Sequence, residues 1–230
     1  MTAVVTGLGV VAPSGVGAAA HWQATAAGEL RVAPITGFDP TPYGTALAGQ
    51  VSAFDPAEFV PSALRVQTDR WTWFALAAAR LAFADGAYDP AARDPYGTSV
   101  LLASGMGGVE FGQREIQALW RDGARAVTAY QSIAWFYAAS TGQVSITSGA
   151  KGPSGVLVTD TAGGLDSLGA ARRLLRRGGA GAVLAGATEA PLCPYALACQ
   201  AAGGRLSPAR HPRRGYRPFD VAASGYVPAE

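Results

Sequence analysis

Residues 159–164, Thr-Asp-Thr-Ala-Gly-Gly, stand where many α/β enzymes hold a nucleophile. An apolar run at 156–158 leads into this turn, and a helix rich in Leu and Arg follows it. In enzymes, this strand–turn–helix presents Ser or Cys at a strained turn, where free backbone N–H groups and the helix dipole stabilise an anion. The turn position here is Thr161, and neither Ser nor Cys occupies it. The turn is therefore either structural or a catalytic site that has lost its chemistry.

Other residues with catalytic or ligating side chains are sparse. Cys193 and Cys199 are too few for a disulfide framework and have no CxxC spacing, so we expect reduced thiols in a cytoplasmic protein. His21 and His211 have no Cys or carboxylate at metal-ligand spacing, so no metal site is expected. The glycines at 7–12 lack the third glycine of a dinucleotide loop, which argues against a nucleotide site.

Composition narrows the class of protein further. The formal net charge of the 230 residues is only +2, which gives no reason to expect a nucleic-acid partner. No apolar run reaches the roughly 18 residues needed to span a membrane, and the N-terminus lacks the basic start of a signal peptide. Only 15% of the residues are charged, which indicates extensive internal packing or a face that a partner covers.

The elements that must position the turn alternate between strand and helix. Strands are predicted at 3–6, 99–103, 156–159 and 182–185. Helices are predicted at 18–28, 70–85, 107–120, 132–144 and 165–177, with Asp69 as the cap of the second, while the proline-rich segment 31–61 is expected to be irregular. This alternation predicts an α/β sheet covered by helical layers.

Several stretches carry a resemblance to a known family. The stretches are VVTGLGVVAPSGVG, GQREIQALW, AYQSIAWFYAASTGQVSI, KGPSGVLVTDTAGGLD and YRPFDVAASGYVPAE. They resemble the chain length factor, the ketosynthase beta subunit of bacterial type II aromatic polyketide synthases. The resemblance implies a thiolase-like fold, layered α-β-α around a mixed central sheet and built from two similar halves. Residues 1–230 would be the N-terminal ketosynthase-like domain, cut before the second half.

The resemblance also gives Thr161 a meaning. In the catalytic alpha subunit the matching position holds the Cys that carries the growing acyl chain, and a thiolate is the nucleophile that thioester formation needs. Beta subunits usually carry Gln there, and Thr161 departs from that pattern as well. The resemblance thus implies a noncatalytic subunit that binds no cofactor itself. Substrates would arrive on the phosphopantetheine of an acyl carrier protein.

By motif match, Val109, Gly112 and Ile116 are the positions that gate chain length in this family. Their spacing of three and four puts them on one helical face. The spacing alone favours an ordinary core face, whereas the resemblance favours the wall of a tunnel in which the polyketide grows. Relatives that make shorter chains carry bulkier residues here, so the tunnel is expected to be long.

A heterodimer with the ketosynthase alpha subunit is the partner arrangement that the resemblance implies. An apolar helix and the strand beside it are expected at its interface, with Ile133, Trp135, Phe136, Tyr137, Val156 and Val158.

Two other functions stay open at the level of sequence. The first is an active condensing enzyme or thiolase that uses Cys193 or another nucleophile. The second is a scaffold that holds the partner without shaping the product.

Overall fold

The computed structural model describes residues 2–159 and 161–230. Its strands, in chain order, are β1 (Val11–Ala12), β2 (Gly15–Val16), β3 (Val32–Pro34), β4 (Leu47–Gly49), β5 (Thr98–Ala103), β6 (Gly155–Leu157) and β7 (Ala182–Ala187). Its helices are α1 (Ala18–Ala26), α2 (Pro56–Phe59), α3 (Ser62–Gln67), α4 (Arg70–Asp85), α5 (Val109–Asp122), α6 (Gln131–Ala134), α7 (Ala139–Ser148), α8 (Gly163–Arg176), α9 (Pro194–Ala202) and α10 (Pro212–Gly215). The predicted helix at 165–177 and the strands at 99–103 and 182–185 are confirmed.

The chain divides into two compact units. The sheet unit holds residues up to 10 and residues 55–189, and the flanking unit holds residues 11–54 and 190–230. Every residue predicted to have a functional role except Cys193 belongs to the sheet unit.

The sheet unit is built around β5. This strand pairs in parallel with β6 on one side and with β7 on the other. Helices α4 and α7 pack with Val100 and Leu102 in one buried cluster, while α8 approaches Ala103, whose side chain points to the opposite face of the strand. The expected α-β-α layering is confirmed in this unit. The three described strands of the sheet unit are all parallel. Antiparallel pairing occurs in two short ladders of the flanking unit, β1–β2 and β3–β4.

Helix α4 forms where the sequence predicts it. Asp69 is its N-cap and accepts a hydrogen bond from Trp71 N, while apolar residues recur at helical spacing behind it. Trp71 is fully buried, and Ala75 and Leu76 join the cluster under the sheet. Burial of this face holds the helix against β5.

The strand predicted at 3–6 is wrong. Val4 and Val5 are 72% and 73% exposed, and no ladder joins this segment to any described strand. Residues 3–9 instead line a cavity of about 510 Å³ along the outer edge of β7. Gly7 and Gly9 bring the segment onto α4 so closely that a Cβ at Gly9 would lie 1.8 Å from the Ala78 carbonyl oxygen. An apolar run becomes a strand only when an edge is within hydrogen-bonding reach.

The single helix predicted at 132–144 is also wrong, because the helix is interrupted between α6 and α7. The carbonyl of Trp135 accepts a hydrogen bond from Gly108 N at 3.1 Å, so it is taken up outside its own helix. Helix α7 then begins at Ala139. A tertiary contact therefore overrides a continuous helical pattern.

The flanking unit corrects the prediction of an irregular segment at 31–61. Strands β3 and β4 pair antiparallel, with Ala33 opposite Ala48. Ile35, Ala48 and Leu197 form a small buried cluster that ties this hairpin to α9. Between residues 2–159 and 161–230, no helix is long and apolar enough to cross a membrane.

Candidate functional site

The turn at Thr161 and the start of α5 lie at the same edge of the sheet. Ala103, the last residue of β5, pairs with Leu157 of β6 and with Ala187 of β7. Just beyond, Ser104 N donates to the Leu157 carbonyl at 3.0 Å, and Thr188 N donates to the Ala103 carbonyl at 3.1 Å. The carboxyl ends of parallel strands are the usual place for a site in α/β folds.

Thr161 is exposed in the turn that precedes α8. Asp160, named with it in the sequence, lies outside the described residues. Gly163 lets the helix begin this close to the sheet, because a Cβ there would lie 2.8 Å from Ala103 Cβ and 3.1 Å from Thr159 Oγ1. The turn is thus held at the tip of β6 with its threonine facing solvent.

Glu189 fixes the loop that joins β5 to α5. Its Oε1 accepts hydrogen bonds from Ser104 Oγ at 3.0 Å, from Met106 N at 3.2 Å and from Gly105 N. Ser104 Oγ in turn accepts from Gly107 N at 3.1 Å. Burial raises the pKa of Glu189, and the bonds from Gly105, Met106 and Ser104 act in the opposite direction.

Helix α5 carries the three positions assigned to the chain-length gate. Val109 and Gly112 are buried, whereas Ile116 is 45% exposed. The structure therefore brings the three residues onto one helix and leaves only Ile116 open to solvent in this chain. Any route for a product along α5 depends on what covers Val109 and Gly112.

The residue that covers Gly112 is Trp135. A Cβ added at Gly112 would lie 2.7 Å from Trp135 Cδ1. The backbone that carries this indole is also seated on glycine, because a Cβ at Gly108 would lie 1.9 Å from the Ala134 carbonyl oxygen.

Asp69, the N-cap of α4, also forms a hydrogen bond with α5. Besides Trp71 N at 3.4 Å, its carboxylate accepts from Phe111 N at 2.7 Å, in the first turn of α5. Burial raises the pKa of Asp69 to about 6; the charge of Glu110 also raises it, while the two backbone bonds and Arg114 lower it. One carboxylate thereby satisfies the free N–H groups of two helices.

Most of the residues expected at a heterodimer interface are on the surface of the chain. Trp135 is 49% exposed and Phe136 46%, and the ring centroid of Phe136 lies 4.9 Å from that of Tyr137, which is also exposed. Ile133 and Val158 are also exposed, and Val156 is partly buried in β6. Apolar side chains in this number and proximity are typical of a surface that a partner covers.

The cysteines lie in the flanking unit. Cys193 is buried and caps α9, where its Sγ accepts from Ala196 N at 3.5 Å, and Cys199 is exposed. Within the part of the chain that the structure describes, no cluster of three His, Cys, Asp or Glu side chains could hold a metal ion.

Sequence reasoning missed two residues of this site. Glu189 lies two residues beyond the end of β7, and an acidic residue at the carboxyl end of a strand in a parallel sheet is a signal that could have been used. The second role of Asp69 has no local signal, because Phe111 is distant in sequence. Only the packing of α5 against α4 reveals it.

The sequence of this chain is similar to those of known proteins. The family model described as beta-ketoacyl synthase, N-terminal domain, matches residues 2–230. The chain is 52% identical to the tetracenomycin polyketide synthase ketoacyl synthase beta subunit of Streptomyces glaucescens over 99% of its own length and 56% of that protein. The chain thus spans about half the length of the curated relatives it matches.

Solved structures show the same fold. The ishigamide ketosynthase/chain length factor superposes with a TM-score of 0.84 at 23% identity, over 97% of this chain and 55% of that one. A type II polyketide synthase acyl-carrier protein in complex with its ketosynthase, bound to the hexaketide, gives 0.77 at 24% identity, over 89% of this chain and 55% of that one.

Proposed function

Since this chain belongs to the beta-ketoacyl synthase family through its N-terminal domain, we propose that it serves as the noncatalytic beta subunit, or chain length factor, of a type II polyketide ketosynthase. It pairs in the cytoplasm with the catalytic alpha subunit and shapes the tunnel in which a poly-β-ketone chain grows. Residues 1–230 supply its N-terminal ketosynthase-like domain. Acyl groups reach the pair on the phosphopantetheine of an acyl carrier protein.

The observation that carries the proposal is Thr161, exposed in the turn before α8 at the position that the resemblance matches to the cysteine of the catalytic subunits. Thioester formation needs a thiolate, and a threonine hydroxyl does not ionise near neutral pH. The turn is closely packed, since a Cβ at Gly163 would lie 2.8 Å from Ala103 Cβ. A well-formed turn without a nucleophile suits a subunit that binds and shapes the product rather than reacts with it.

The surface supports the second half of the proposal. Trp135, Phe136 and Tyr137 present neighbouring aromatic side chains beside α5, and Val158 adds to them beyond β6. A catalytic partner seated on this surface would close the space that faces Ile116. The space along α5 would then lie between the two subunits, and its depth would set how many two-carbon units fit.

The test uses the complete protein copurified with its catalytic partner and incubated with malonyl-loaded carrier protein. Intact-mass spectrometry of each subunit should find acyl adducts on the partner and none on this subunit. Thr161→Ala should keep product formation within about two-fold of wild type, since no bond to Thr161 forms.

Each alternative predicts a different outcome. An acyl adduct on this subunit, at Cys193 or elsewhere, would establish an active condensing enzyme and overturn the proposal. A complex that assembles normally, and whose product length ignores every substitution on α5, would establish a scaffold.

A further inference from the structure

Residue 112 is in contact with an aromatic side chain. A Cβ at this position would lie 2.7 Å from Trp135 Cδ1, 3.4 Å from Nε1 and 3.5 Å from Cγ. Carbon atoms that are not bonded pack at about 3.5–4.0 Å. Every residue larger than glycine at 112 must therefore move the indole.

The backbone of Trp135 is not free to move with its ring. Its carbonyl accepts from Gly108 N at 3.1 Å, and the places of side chains at Gly107 and Gly108 are filled by the carbonyls of Trp135 and Ala134. The Ala134 carbonyl also accepts from Trp71 Nε1 at 3.4 Å, and Trp71 is fully buried. A side chain at position 112 can therefore be accommodated only if the Trp135 side chain rotates.

The Trp135 indole, and not residue 112, is exposed to solvent beside this turn of α5. Gly112 is buried, while Trp135 is 49% exposed and Ile116, one turn further along the helix, is 45% exposed. A chain passing along this face would meet the edge or face of the indole before it met residue 112.

From these contacts we infer that Trp135 is a chain-length determinant, and that residue 112 acts on product length through the position of the Trp135 indole. This inference rests on the proposed function. With glycine at 112 the ring lies back against α5 and leaves the wall at its widest. A side chain at 112 turns the ring outward and narrows the space.

A double-mutant cycle tests the inference in the complete heterodimer. The variants are wild type, Gly112→Thr, Trp135→Ala and the double substitution, each supplied with malonyl-loaded carrier protein and assayed for product length by mass spectrometry. Gly112→Thr should raise the ratio of short to long products about ten-fold, and Trp135→Ala should lower it. In the Trp135→Ala background, Gly112→Thr should change the ratio less than about two-fold, because the ring that it turns is gone.

An additive cycle overturns the inference: if Gly112→Thr shortens the product equally with and without Trp135, residue 112 acts directly. Where Trp135→Ala fails to assemble, Trp135→Phe replaces it in the same cycle and should weaken the effect of Gly112→Thr at least two-fold. An unchanged effect in that background is equally contradictory.

Val109→Phe separates failure of the inference from failure of the proposed function. If Val109→Phe shortens the product and the cycle is additive, the inference is wrong and the proposed function stands. If neither Val109→Phe nor Gly112→Thr changes product length in a complex of normal mass, the proposed function itself is wrong.

Discussion

Asp69 accepts a hydrogen bond from the backbone N–H of Phe111 at 2.7 Å, and this contact ties the N-terminus of α5 to that of α4. Phe111 lies in the first turn of α5, where a backbone N–H has no partner in its own helix. The helix that carries Val109, Gly112 and Ile116 is therefore held in place by a side chain from a different helix.

Removing this carboxylate should be costly. Asp69→Ala takes away the cap of α4 and leaves Phe111 N–H buried without an acceptor, so we expect about 2–4 kcal/mol of destabilisation. Asp55→Ala is the matched control, since Asp55 caps only α2 through Ala57 N at 2.8 Å and should cost about 1 kcal/mol. Denaturant unfolding of the complete protein measures both; equal losses would contradict the second role of Asp69.

Stability should also depend on pH through Asp69. Its pKa in the fold is raised to about 6 from 3.8, mainly by burial, with Glu110 adding to the rise and Arg114 opposing it. Because the folded state holds the proton more tightly, this contribution is fully present below pH 4 and is lost as the pH rises through 6.

The non-titrating variant Asp69→Asn isolates this effect. The unfolding free energy of wild type relative to Asp69→Asn should fall by about 2 kcal/mol between pH 4 and pH 7. Denaturant titrations at several pH values measure it, and a difference that stays constant across the window would refute the raised pKa.

Two adjacent glycines at the start of α8 should respond in opposite ways to alanine. Gly163→Ala places a Cβ 2.8 Å from Ala103 Cβ and should destabilise by about 1–3 kcal/mol through overpacking. Gly164→Ala meets only Ala187 Cβ at 3.8 Å and should be neutral or stabilise by up to about 1 kcal/mol. Thermal unfolding midpoints compare them; the same shift for both would show that Gly163 is not needed for close approach.

Val109→Phe should shorten the polyketide. Val109 is 5% exposed at the start of α5, so the larger ring must push into the wall or into its neighbours, at about 1–3 kcal/mol. Product length in the heterodimer is the measurement. Val66→Phe, at a 65% exposed position on α3, is the control and should leave the product unchanged.

Loss of the exposed aromatic surface should weaken the heterodimer. Phe136→Ser should raise the dissociation constant about ten- to a hundred-fold, because aromatic residues dominate interface energetics. Sedimentation of the purified subunits measures it. Tyr96→Ser is the control, at a 68% exposed tyrosine in the Pro95–Gly97 turn that precedes the amino end of β5. Equal affinity of Phe136→Ser and wild type would place the interface elsewhere.

Short sequence patterns were sufficient to predict the helices whose ends are set by neighbouring residues. Asp69 followed by apolar residues at helical spacing predicted α4, and the turn before α8 predicted that helix to within two residues at its start. The resemblance supplied the positions of Thr161 and of the α5 residues. Helices α4 and α8, by contrast, depend on caps, turns and periodicity, which a sequence displays directly.

Features that depend on distant partners were not predictable. The break after Ala134 coincides with the hydrogen bond from Gly108 N to the Trp135 carbonyl, and residues 3–9 lie against α4 through Gly7 and Gly9. The contact of Trp135 with Gly112 has the same origin, since a glycine in a helix pattern does not reveal what will lie against it.

Gly107 and Gly108 leave room for the carbonyls of Trp135 and Ala134, so residues 107–112 and 134–137 must be compatible with each other and should be inherited together. A chimera that took α5 from one relative and the turn after α6 from another would combine an indole with a seat that was not shaped for it. Recombination between relatives should therefore succeed when its crossover points leave both segments from the same parent, and chimeras that split them should assemble poorly whatever their product.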